Sequence, residues 1–440
     1  MSLRLFDSLA TTEPLADLFS DASMLSAMLR FEVALARVEA RLGVIPTSAA
    51  TAIERAADPA AFDSAAVARD ARMSGTITQP LVQMLTARVR EWDPLAATFV
   101  HWGATSQDVS DTALILCLAR AADILSADHT RLTAGLRRLS DEHAGTVMLA
   151  RTLTQPAPPI TLGLKAAGWY GAVSRTGTRM AETFHDACVL QFGGASGTLA
   201  ALGPQGSAVA DALARELTLP LPDAPWHAHR DRLAALMASC GIYVGALGKI
   251  ARDVALLMQF EVGEASEPGG GSSTMPHKRN PAGCAVALAA ATRVPGLVAS
   301  FLSGMPQEHE RGLGNWHAEA TTVVSVVQAT GSALSAIAEV IDTLRVDAAR
   351  MRANISATNG LVFAERAVML LAPKLGREAA GRHIEDAMNT AAREGQSFLT
   401  ALGAIPDVSA ALSATELISL DSPEAYLGSA EEFRQRLLGS

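Results

Sequence analysis

Residues 267–283, EPGGGSSTMPHKRNPAG, gather into one turn-prone segment the side chains that could do chemistry. Hydroxyls at Ser272, Ser273 and Thr274 stand beside the Lys278 ammonium, the Arg279 guanidinium and the Asn280 amide. Three consecutive glycines accept positive φ at little steric cost, and Pro268, Pro276 and Pro281 interrupt any helix. The segment therefore predicts a loop between helices whose bare backbone N–H groups, flanked by cations, form a receptor for carboxylate or phosphate. A solvated surface loop with incidental charge is the alternative. Neither G-x-x-x-x-G-K-[ST] nor G-x-G-x-x-G is present and no strand precedes the glycines, which excludes nucleotide binding through those two devices.

A second polar turn lies at residues 101–112, HWGATSQDVSDT. Gly103, Thr105 and Ser106 make the turn, and Asp108 and Asp111 stand where a helix N-terminus favours acids. His101 reads either as a structural histidine or as a hydrogen-bond donor to a ligand. His227 and His229 form an H-x-H pair, but no third ligand stands at a suitable spacing, so no metal is expected.

The elements that must position these stretches read as helices throughout. Residues 23–42 repeat Met24, Met28, Phe31, Leu35, Val38 and Leu42 at helical spacing until Gly43 and Pro46 stop them. Further pieces are expected at 64–72 and 80–91. Long helices follow at about 109–143, 161–190, 231–264, 281–304 (bent at Pro295) and 316–344, with a turn through Gln155, Pro156, Pro158 and Pro159 and a glycine-rich connection at 193–206. Five long helices imply one layered bundle. Shorter helical pieces fill 346–440, and no run alternates strictly enough for a sheet, so the fold class expected is all-α with a helical region at 1–110, a central bundle at 111–345 and a helical region at 346–440.

The net charge of −9, with basic residues scattered among acids, gives no reason to expect nucleic acid or an anionic membrane as partner. An apolar fraction of 49% before glycine is counted is high for a soluble protein and suggests subunit interfaces. The uncharged stretch between Glu319 and Glu339 is rich in Ser, Thr and Gln and reads as a buried bundle helix, not a membrane span. Four isolated cysteines read as reduced thiols, and no secretory pattern opens the chain, so a cytoplasmic location is expected.

GSSTMPHKRNP resembles the signature loop of the fumarase/aspartase superfamily, and its SS-x-MP-x-K-x-NP core is highly specific. HWGATSQDVSDT resembles a second region of that superfamily, and NGLVFAE at 359–365 resembles the start of its C-terminal region, so the likeness covers nearly the whole chain. The resemblance implies a homotetramer whose long helices form a common bundle and whose active sites each draw on three subunits. It also implies cofactor-independent addition or elimination beside a carboxylate, through an aci-carboxylate dianion stabilised by preorganised donors. Ser272 matches the catalytic serine, Lys278 and Asn280 the carboxylate-binding positions, and Thr105, Ser106 and Gln155 the substrate-binding positions; Ser273 is expected among the substrate-binding residues, with His101 beside them.

Where many relatives carry R-T-H-x-Q, this chain reads Arg151-Thr-Leu-Thr-Gln155, and Leu153 can bind neither proton nor anion. With NWHAEA at 315–320, these segments are most similar to the branch that lactonises a carboxylated muconate in protocatechuate catabolism, which implies a tricarboxylate substrate. Fumarate-releasing C–N lyases of the superfamily and a catalytically silent homologue are the rival readings. Residues 307–319, QEHERGLGNWHAE, admit two accounts: His309, Arg311 and His317 face the tricarboxylate, or Glu308, Glu310 and Glu319 neutralise them in a helix-start network.

Overall fold

The computed structural model describes residues 5–271, 274–275 and 277–439. In chain order the main elements are α1 (Glu13–Leu18), α2 (Asp21–Arg41), α3 (Thr47–Ala56), α4 (Ser64–Ser74), α5 (Thr78–Trp92), α6 (Ser106–Glu142), β1 (Val147–Thr152), β2 (Gln155–Thr161), α7 (Leu162–Ala187), α8 (Gly206–Leu217) and α9 (Asp231–Leu257). They continue with β3 (Ala265–Ser266), α10 (Ala282–Ser303), α11 (Asn315–Thr343), β4 (Arg345–Val346) and α12 (Ala348–Ser356), then shorter helices to residue 438. The fold is all-α. Helix ends follow local chemistry: the Ser20 side chain accepts the Ser23 N–H to start α2, and Gly75 in the left-handed region ends α4.

The chain divides into two units. The first comprises Met1–Thr130, Arg175–Gly248 and Val286–Ala336. In it α2 buries Met28, Phe31, Leu35 and Val38 of the residues its periodicity selects, with Met24 and Leu42 half-buried at its ends, and Phe31 meets Phe192 with ring centroids 6.3 Å apart. The same face also buries Glu32 and Glu39, two acids in an otherwise apolar stripe.

The second unit comprises Arg131–Ser174, Lys249–Ala285 and Ile337–Ser440. Here β1 and β2 form an antiparallel hairpin closed by the pair Thr152 and Gln155, and β3 pairs with β4. The expectation of a turn at 155–159 without any sheet is corrected: the prolines lie inside β2. The turn is instead Leu153 and Thr154, both at positive φ, a tight two-residue reversal made without glycine. A separate core of Ala367, Leu371, Ile384, Phe398, Leu402 and Leu420 holds the C-terminal helices together.

Three helices, α9, α10 and α11, are long and apolar enough to cross a membrane by length and composition. In α9 and α11, 61% and 67% of the apolar window is buried within the protein, as a bundle helix requires, whereas in α10 only 22% is.

Candidate active site

The turn at 101–105 runs straight into α6, and its anchor is Asp108 in the first helical turn. Fully buried, the Asp108 carboxylate accepts the N–H groups of Thr105 (3.0 Å), Gly193 (2.9 Å) and Gly194 (2.9 Å), and meets Nε2 of His227 at 2.7 Å. One side chain thus joins the helix start to the glycine-rich connection and to the H-x-H segment. Gly194 has φ +68°, and a Cβ there would sit 2.8 Å from the Gly103 carbonyl oxygen, so the two turns approach only because glycine occupies that position. His227 is committed to Asp108, and among the described residues no group of three His, Cys, Asp or Glu could hold a metal ion.

One turn further along α6, buried Asp111 receives a bidentate pair from Arg230 (2.7 and 3.1 Å), and Trp316 Nε1 donates to it at 3.2 Å. Burial opposes ionisation of Asp111, but the Arg230 guanidinium outweighs it and holds the carboxyl below its ordinary range. Arg230 also reaches Glu319 at 2.7 Å, and Gln307 donates to Glu319 at 2.6 Å. Burial dominates at Glu319 and raises its pKa despite Arg230. Glu319, Gln307 and Trp316 therefore belong to a buried network at the start of α11.

Arg311 stands outside that network. Its guanidinium donates to the Thr105 hydroxyl at 3.0 Å and to the carbonyls of Ala195 (3.2 Å) and Gly194 (3.4 Å), and its buried Nε has no partner among the described residues. Among the described residues the Arg311 partners are all neutral, and a half-buried cation so placed is prepared for an anion. Thr105 and Arg311 are thus brought together, with Ser106 next in sequence as the first residue of α6. His309 is exposed, at φ +49°.

His101 also has a positive φ, +59°, and its Nδ1 lies 2.6 Å from Oε1 of Glu32 on α2. Burial alone would lower the histidine pKa. The Glu32 charge and hydrogen bond, helped by Asp108, overcome that and raise it.

In the second unit Arg151 makes a two-pronged ion pair with buried Glu264 (2.6 and 3.0 Å), and Asn354 of α12 donates to the same carboxylate at 2.7 Å. The hairpin bearing Gln155 and the chain entering β3 are fixed to one another by this pair. Gln155 is exposed next to the turn, and Leu153 at its tip is 96% exposed. Beyond β3, Glu267 is buried at the foot of the loop and accepts the backbone N–H groups of Gly283 and Cys284 at the start of α10. Burial still pushes its carboxyl above the ordinary range.

The Asn280 N–H donates to the Gly270 carbonyl at 2.8 Å, and Gly271 bridges Arg279 in antiparallel fashion. A Cβ on Gly270 would lie 2.0 Å from the Asn280 oxygen, so the loop can close on itself only with glycine there. Lys278 is exposed and Asn280 half-buried. Ser272 and Ser273 lie outside the described residues.

The sequence profile of the lyase family matches residues 9–296, and that of the adenylosuccinate lyase C-terminus matches residues 360–437. The chain belongs to the fumarase/aspartase superfamily. Among this superfamily member's relatives, the 3-carboxy-cis,cis-muconate cycloisomerase of Bradyrhizobium diazoefficiens is 48% identical over 96% of this chain and 94% of its own. The enzyme of the same name from Pseudomonas aeruginosa is 46% identical over 99% and 96%. The crystal structure of the 3-carboxy-cis,cis-muconate lactonizing enzyme from Pseudomonas putida matches with a TM-score of 0.94 at 45% identity, covering 99% of this chain and 98% of that one.

Sequence reasoning found the polar turns but not their supports, Glu32, Arg230, Glu264 and Glu267. Glu32 carried a signal: an acid four residues from Met28 and three from Leu35 stands on an apolar helix face, where only a buried partner makes it tolerable.

Proposed function

We propose that this chain is a cofactor-independent cycloisomerase that closes 3-carboxy-cis,cis-muconate to a carboxymuconolactone in protocatechuate catabolism. Near full-length similarity to cycloisomerases of that name, at up to 48% identity, is the observation that carries the reading. One substrate carboxylate attacks the conjugated double bond, forming the ring C–O bond. The displaced electron pair moves toward the carbon beside a second carboxylate, which spreads the charge as an aci-carboxylate, and a proton then adds to that carbon. Nucleophile and acceptor share one molecule, so the enzyme must fix a reactive conformer and stabilise the dianion.

In this reading Ser272 transfers the proton. Lys278 and Asn280 stabilise carboxylate charge, and Thr105, Ser106, Gln155, Ser273, Arg311 and His309 bind the tricarboxylate, with His101 as a further donor. Arg311 supports the assignment because its partners are neutral. The protein is a cytoplasmic homotetramer with each site shared among three subunits. The apolar window of α10, 22% buried in one chain, supplies a surface that subunit association would cover.

Incubation with the muconate, followed by its ultraviolet diene absorbance and identification of the lactone, tests the proposal. No loss of absorbance with folded tetramer would refute it. Release of fumarate from a succinylated amine would instead establish C–N lyase activity, and inertness toward both would leave a silent homologue.

A further inference from the structure

We infer that Glu32 is a positioning residue that fixes His101 as an oriented imidazolium, presenting its Nε2–H as a cationic donor to a substrate carboxylate. The inference rests on the proposed placement of His101 in the active site. Glu32 is on the core face of α2, 69 residues from His101, with its side chain 1% exposed; that of His101 is 18% exposed. The Nδ1 to Oε1 distance of 2.6 Å is that of a charge-assisted hydrogen bond, and it fixes which ring nitrogen faces inward. Nε2 makes no hydrogen bond among the described residues. The backbone of His101 has φ +59°, an unfavourable conformation for a side-chain-bearing residue. A histidine that served packing alone would not require both a buried acid and a strained backbone.

The charged groups facing this ring are Glu32 from α2 and Asp108 from α6, and both favour the cation. Asp108 is already shared among three N–H groups and His227. Glu39 is on the same face of α2, but burial and the neighbouring Glu32 push it up to about 9, so it is a neutral acid near pH 7 and adds no field. Because the His101 pKa is raised in the fold, the cation persists below that raised value and is lost as pH rises through it.

Protein labelled with 13C-histidine provides the test, with the His101 resonance assigned by its absence in His101→Asn. In the wild type His101 should titrate above the ordinary histidine value. Glu32→Gln should lower that titration by more than one unit and move the alkaline limb of the kcat/KM profile down with it, for a loss of roughly tenfold between the two limbs. Glu32→Asp should restore most of both, and Glu39→Gln should leave the His101 titration in place.

An ordinary or low titration in the wild type, no shift in Glu32→Gln, or an equal shift in Glu39→Gln would overturn the role of Glu32. A shifted titration beside an unmoved kcat/KM profile would instead remove His101 from the site. If Glu32→Gln does not fold, the wild-type and Glu32→Asp titrations decide the question.

Discussion

Asp108→Ala is the perturbation whose consequence follows most directly from the structure. The substitution removes the acceptor for three backbone N–H groups and the partner of the His227 ring. Gly193 and Gly194 are buried, so their N–H groups cannot turn to bulk water. Each orphaned buried donor costs about 1–3 kcal/mol, which for these two gives roughly 2–6 kcal/mol, with about 4 as the central value. An unfolding entropy of about 2.1 cal/mol/K per residue gives roughly 0.9 kcal/mol/K for the 440 residues. A loss of about 4 kcal/mol then lowers the melting temperature by roughly 4 °C if the chain melts as one cooperative unit.

The functional loss should exceed what that stability change predicts. Asp108 holds the Thr105 N–H and the Gly194 N–H, while Arg311 docks on the Thr105 hydroxyl and the Gly194 and Ala195 carbonyls. Releasing the carboxylate frees the whole nest around Arg311. Thermal melting paired with kcat/KM at a temperature where the variant is fully folded measures both effects. An unchanged melting temperature would show that water or a neighbour satisfies the freed donors. A lowered melting temperature with wild-type kcat/KM would show that the Thr105 and Arg311 arrangement does not matter to turnover.

Ser272→Ala should abolish turnover while helical circular dichroism and subunit assembly stay unchanged; retained activity would remove Ser272 from the mechanism. Gly270→Ala should cost at least tenfold in kcat/KM, because its Cβ would meet the Asn280 oxygen at 2.0 Å, whereas Gly269→Ala, which meets nothing within 4 Å, should keep most of the activity. Glu39 binds a proton in the fold up to about 9 but loses it near 4.5 when unfolded, so its share of stability falls as pH rises between those values, by about 1.4 kcal/mol per unit. Denaturant midpoints at pH 6 and pH 8.5 should therefore drop less steeply for Glu39→Gln than for wild type, and parallel drops would contradict a protonated Glu39.

Local periodicity and capping were legible in the sequence. The expected 23–42, 80–91 and 316–344 are observed as Asp21–Arg41, Thr78–Trp92 and Asn315–Thr343, because each is a long amphipathic or apolar run with a polar or glycine boundary. Three helices before residue 346 were not assigned, Glu13–Leu18, Thr47–Ala56 and Gly206–Leu217. Thr47–Ala56 and Gly206–Leu217 are amphipathic but short and alanine-rich, so each repeats its pattern over too few turns to stand out in sequence, and both are held by packing against α2. The hairpin was hidden for a different reason. Pro156, Pro158 and Pro159 signal a break in any local reading, and the strand around them is held by its partner β1.

At the candidate site the division is between a group and its partner. The types that can do chemistry, and their clustering at 101–112 and 267–283, are visible in sequence because turns need glycine and polar residues side by side. What decides the protonation state and aim of each group comes from far along the chain: Glu32 is 69 residues from His101, His227 is 119 from Asp108, and Glu264 is 113 from Arg151. No spacing rule reaches across such separations. A buried acid or arginine on an apolar helix face is nevertheless a local observation, and it implies that a distant opposite charge or donor exists before that partner is known. Glu32 and Glu39, both buried on the apolar face of α2, meet that criterion. Only Glu39 lacks a cationic partner among the described residues, and it is the one whose carboxyl is driven neutral.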